Sequence, residues 1–165
     1  MFLSPESHKC IESFLRDYLH EENLKLPRIS IYNGHWTRWL TSAFHISAIT
    51  FGRCVFVAPK MVARDERGRL TVPAKLMAHE AMHVVQYARA GFVRFLCSYF
   101  RGYFHALRKE RGWSKAARHA AYLAIKQERE AYAAESAFDV WRLQEKMREV
   151  KTSSPRDDEE DRERE

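Results

Sequence analysis

The stretch Leu76-Met77-Ala78-His79-Glu80-Ala81-Met82-His83-Val84-Val85-Gln86 decides how this 165-residue chain is read. Residues four apart on a helix stand one above the other on the same face. His79 and His83 can therefore reach one metal ion while Glu80 lies beside it. The flanks of the stretch support a helix. Pro73 stands near the first helical position, where its missing N–H is harmless, and Gly91 can adopt the positive φ that closes a helix. Leu76, Met82, Val85 and Ala88 predict an apolar stripe along about five turns.

Upstream, residues 47–51 and 54–58 are apolar runs separated by Gly52-Arg53, which predicts an antiparallel hairpin with glycine in the first turn position. Residues 28–32 alternate as a strand and end at Asn33-Gly34, a turn signal. Residues 4–20 place Ile11, Phe14, Leu15, Tyr18 and Leu19 at helical spacing. Downstream, residues 92–108 keep a helical apolar face through Phe92, Phe95, Leu96, Tyr99, Tyr103 and Leu107, with Arg94, Arg101 and Arg108 recurring every seven residues. Residues 114–150 lack Pro and Gly and are rich in helix formers, so they predict one long helix or two joined by a bend. The expected class is α+β, mainly helical, with a small antiparallel sheet or hairpin before the His79–His83 helix.

At this length one domain with a substantial core is expected, over residues 1–151. Residues 152–165 carry three Arg against seven Asp and Glu and no apolar residue beyond Pro155, so a disordered acidic tail is expected there. The formal charge is +6; with −4 in the tail, the body holds +10. A basic body can meet anionic partners. Lys and Arg recur along the chain rather than in one block, which favours a solvated surface over nucleic acid as the reading; residues 92–108 are the segment that would lie on a membrane surface. Cys10, Cys54 and Cys97 are odd in number and without a C-x-x-C pair, which gives neither a disulfide framework nor a cysteine metal site. The first residues lack a basic-then-apolar leader and no run is long and apolar enough to span a bilayer. A cytoplasmic location is expected, with export by other machinery as the alternative.

A catalytic zinc takes three protein ligands and keeps a position for water, so the two histidines need a partner. A third histidine in the extended pattern H-E-x-x-H-x-x-G-x-x-H is excluded, because its last fixed positions fall on Gln86 and Arg89. The carboxylates of Gln127-Glu128-Arg129-Glu130-Ala131-Tyr132-Ala133-Ala134-Glu135 remain. Glu128 and Glu130 each lie about 80° from the apolar face of that helix, on opposite sides, so periodicity leaves both open. Glu128, Tyr132 and Glu135 share a face.

The pair of motifs, His79-Glu80-Ala81-Met82-His83 followed by Glu128-Arg129-Glu130-Ala131-Tyr132-Ala133-Ala134-Glu135, resembles the gluzincin-type zincin metallopeptidases, in which a later helix offers a Glu as third ligand. More narrowly, Ala48-Ile49-Thr50-Phe51-Gly52 and residues 76–86 are similar to the metallopeptidase domain of core proteins associated with extracellular contractile injection systems, over about residues 47–138. The resemblance implies a zincin-like domain and a Zn²⁺ ion held by His79, His83 and Glu128. Where many gluzincins carry Asp four residues after the ligand Glu, this chain has Tyr132, and Glu135 is the substitute for that support. With the site so assembled, Glu80 is expected to act as general base on a metal-activated water. Tyr132, His105 and His119 are the donor types for the oxyanion, of which Tyr132 is carried forward as catalytic. The expected activity is hydrolysis of peptide bonds in a polypeptide, with residues 54–58 as the sheet edge that pairs with it. Two alternatives are a catalytically silent interaction module of a larger protein assembly and a basic membrane or nucleic-acid binder. Trp36 and Trp39 are expected in the core rather than in a groove.

Overall fold

A computed structural model describes residues 2–34, 37, 47–64, 66, 70–110 and 112–153. Helix α1 (Pro5–Leu19) starts at Ser4, whose hydroxyl accepts from the Ser7 N–H, and stops at His20, held in the left-handed region at φ 55°. Strands β1 (Ser30–Tyr32), β2 (Ala48–Phe51) and β3 (Cys54–Val57) form a three-stranded sheet. A short 3₁₀ turn (Pro59–Met61) follows, then a two-stranded ribbon of β4 (Ala63–Arg64) and β5 (Leu70–Thr71) that no sequence pattern announced. Among the described residues four more helices of known bounds follow: α2 (Ala74–Ala90), α3 (Phe92–Lys109), α4 (Lys115–Leu123) and α5 (Lys126–Ser153). The molecule is α+β and mainly helical, with its sheet ahead of the helix that carries the histidines, as the sequence predicts.

The β2–β3 hairpin pairs Phe51 with Cys54 across Gly52, which takes φ 61°. The sheet is not purely antiparallel, however. β1 joins β3 in parallel, giving the order β1-β3-β2. β1 is separated from the hairpin by some fifteen residues of chain, enough to return it on the far side of β3 in the same sense. Strand β3 is therefore central, and the expectation that residues 54–58 form a peptide-binding edge is corrected. The far side of β1 is bridged by Phe2 to Ser30. Among the described residues the outer side of β2 carries no strand.

Helix α2 departs from the expected stripe: Met77 through Tyr87 are buried without a break, whereas Ala88 is exposed and Leu76 half-buried. A helix covered all round needs neighbours on every side. β2, α1, α3 and α5 supply them. α5 packs along α2 through Ala131, Ala134 and Phe138, and Phe138 meets Phe14 of α1 edge to face at 5.0 Å. Gly91, at φ 79°, ends α2 and starts α3 at once. The 114–150 segment resolves into the alternative of two helices. Ser114 caps α4 by accepting from the Ala117 N–H, and the chain bends at Ala124 and the buried Ile125. α5 runs to Ser153, two residues beyond the expected end of the domain at 151; the rest of the tail, Trp36 and Trp39 lie outside the described residues. All three cysteines are free. Among the described residues no helix is long and apolar enough to cross a membrane.

Candidate metal centre

His79 and His83 project from one face of α2 onto the first turns of α5, where Glu128 meets both. The Nε2 atoms of His79 and His83 lie 3.5 and 3.4 Å from the two carboxylate oxygens of Glu128. One ligand atom from each residue lies within 4.8 Å of the others, and all three side chains are buried. Three atoms bound tetrahedrally to a zinc at its usual distances sit about 3.4 Å apart, so this spacing suits such an ion.

The remaining ring nitrogens decide the orientation. His79 Nδ1 is 3.1 Å from Glu135 Oε2, and a carboxylate can only accept, so Nδ1 is the donor. His83 Nδ1 lies 2.9 Å from Gln86 Oε1. Gln86 spends its amide donors on Glu130 Oε2 (2.8 Å) and the Gln127 carbonyl (3.2 Å), so its oxygen must accept from His83. In the neutral state each imidazole thus turns its lone pair inward from Nε2, the arrangement a metal ligand requires.

The choice that periodicity left open is thereby made. Glu128, 3% exposed, faces the histidines, whereas Glu130 lies behind them as the anchor of Gln86. Glu135 supports His79 from the far side of the ring by accepting from Nδ1. Burial alone would raise the Glu128 pKa, but hydrogen bonds from His79 and His83, reinforced by Tyr122, hold it well below the usual carboxylate range. For His83, burial works against the charged form, yet the hydrogen bond and negative charge of Glu128 prevail and push its pKa up to about 9.

Two residues that the sequence reading did not assign complete the surroundings of Glu128. Tyr99 of α3 donates to Oε1 at 2.8 Å, and Tyr122 of α4 donates to Oε2. Burial, then the charge of Glu128, raises both phenols far above their ordinary value, so they remain protonated donors. Tyr99 fell on the expected apolar face of residues 92–108; a buried phenol needs a partner, which was the available signal. No pattern pointed to Tyr122.

Glu80 is buried beside the histidines and is not part of the ligand set. The Thr50 hydroxyl of β2 donates to Glu80 Oε2 at 2.6 Å. Burial raises the Glu80 pKa, against the lowering influence of His83, His79 and Thr50. Tyr132 packs edge-on to the His79 ring at 4.6 Å between centroids and is 39% exposed. His105 and His119 are exposed on α3 and α4.

The family described as the eCIS core domain matches residues 16–91. This relates the chain to core proteins of extracellular contractile injection systems. The matched segment runs from α1 to the end of α2 and so contains His79, Glu80 and His83, but stops short of Glu128. No curated protein and no solved structure matches the chain.

Proposed function

We propose that the chain is a zinc-dependent metallopeptidase cleaving polypeptides at the His79–His83–Glu128 centre. The observation that carries this reading is the placement of Glu80: a buried carboxylate on the ligand helix, outside the ligand set, tethered by Thr50 to a strand whose outer side is open among the described residues. A purely structural metal site has no use for such a group.

His79, His83 and Glu128 would hold the ion, which would supply a Lewis acid for the scissile carbonyl and make a water acidic near neutral pH. Glu80 takes the proton of that water and passes it to the leaving amine. Thr50 fixes Oε2, which leaves Oε1 to meet the water. Burial raises the proton affinity of Glu80, which suits a group that accepts a proton. Tyr132, with a phenol pKa raised by burial, stays protonated and stands beside His79 as the donor for the developing oxyanion. The pairing of Ser47, Ile49 and Phe51 towards β3 turns the N–H and C=O of Ala48 and Thr50 outward. An extended peptide pairing with that edge would pass next to Glu80, which favours a polypeptide substrate.

A second reading, a zinc-holding module within an injection-system assembly, draws on the matched family. One experiment separates the two. Zinc-loaded protein is expected to cleave an unfolded casein substrate, and Glu80→Gln is expected to keep its zinc while losing at least about a hundredfold in rate. Zinc-loaded wild type that cleaves nothing would favour the module.

A further inference from the structure

We propose that the α3–α4 hairpin is a docking surface for anionic membranes. Between Glu80 and Glu128 the chain carries nine basic residues and one acidic residue, Glu110. The body's positive charge is thus concentrated where the sequence reading took it to be dispersed. α3 and α4 pack on each other through Leu107, Ala117 and Ala121, apart from the main core. α3 buries Phe95 and turns Tyr99 towards Glu128, and this leaves its other side uncovered.

That other side is apolar and basic together. Val93, Phe100 and Phe104 are 71, 53 and 49% exposed and recur at helical spacing as one ridge. Arg94, Arg101 and Arg108, all exposed, run along its flank. Trp113, 73% exposed, lies four residues beyond the end of α3. A solvated helix edge accounts for the arginines but not for a ridge of aromatic side chains in water. Arginines beside aromatic and aliphatic residues on an exposed helix match the boundary of a bilayer, where phosphates meet the arginines and the rings enter the acyl edge. Each arginine near an anionic leaflet strengthens binding severalfold, so loss of three weakens it about a hundredfold.

The test is sedimentation of the full chain with vesicles of phosphatidylcholine, with or without phosphatidylglycerol, at low and high salt. The wild type is expected to pellet with the anionic vesicles, less so as salt rises. The Arg94→Gln, Arg101→Gln, Arg108→Gln triple variant should bind about a hundredfold more weakly, and Phe100→Ser with Phe104→Ser should also release the protein while leaving its affinity for a DNA oligonucleotide unchanged. All five positions are exposed, and an unchanged circular dichroism spectrum would verify the fold. Failure of the wild type to pellet with anionic vesicles, or pelleting indifferent to the arginines, overturns the proposal. Vesicle binding that survives the phenylalanine changes also overturns it, in favour of a general polyanion surface.

Discussion

The Thr50 hydroxyl donates to Glu80 Oε2 at 2.6 Å, joining the sheet to the histidine-bearing helix through the carboxylate that the proposed mechanism uses as a base. Thr50→Val keeps the shape and removes the donor. Because Glu80 is buried, the loss is expected to destabilise the protein by about 1–3 kcal/mol and to slow cleavage about tenfold at unchanged zinc content, with Thr50→Ser restoring most of both. Urea denaturation and steady-state rates on the same preparations give the check. A Thr50→Val protein with wild-type turnover would remove Thr50 from the account.

Glu135 holds the His79 ring by accepting from Nδ1 at 3.1 Å. Replacing it with alanine frees the ring to turn and to change tautomer. Zinc affinity is expected to fall about 10–100-fold, measured by competition with a chromophoric chelator.

Tyr99 and Tyr122 donate to the two oxygens of the Glu128 carboxylate. Hydrogen bonds to a buried charge contribute about 1.5–3 kcal/mol each. Tyr122→Phe is expected to lower the unfolding free energy of the metal-free protein by that amount. The double variant with Tyr99→Phe should lose more than either alone.

In the metal-free protein His83 has its pKa pushed up from an ordinary 6.5 to about 9 by Glu128. A raised folded-state pKa means that the His83–Glu128 contribution to stability is complete below pH 6.5 and fades as pH rises through about 9. Chelator-treated protein should therefore lose Tm from His83 between pH 6.5 and 9. Zinc must displace the proton that His83 carries in this range, so affinity should rise with pH until about 9 and then level off. Titrations at several pH values report both trends.

Much of this was legible in the sequence because local chemistry dictated it. The H-E-x-x-H spacing placed two imidazoles on one face, and Gly52 marked a hairpin that formed as expected. What stayed hidden depended on contacts between elements distant in sequence. The parallel return of β1 leaves no local trace, and it makes β3 central, so that among the described residues the uncovered edge is that of β2. Met77–Tyr87 reads as a half-covered helix until α1, β2, α3 and α5 are seen around it. Glu128 and Glu130 are symmetric about the apolar face of α5, and only the position of Gln86, which captures Glu130, breaks the tie. The basic residues of 81–127 were countable in the sequence, yet their meaning depended on seeing that the far side of α3 is uncovered.

The central claim is that Glu128, with His79 and His83, completes a metal centre. Its most direct test is plasma emission analysis of metal in protein expressed with ample zinc, comparing wild type, Glu128→Gln and Glu130→Gln. The account predicts about one zinc per chain in wild type, most of it retained in Glu130→Gln and nearly all lost in Glu128→Gln. Wild type with less than a few tenths of zinc per chain, or Glu128→Gln that keeps a full complement, would contradict it.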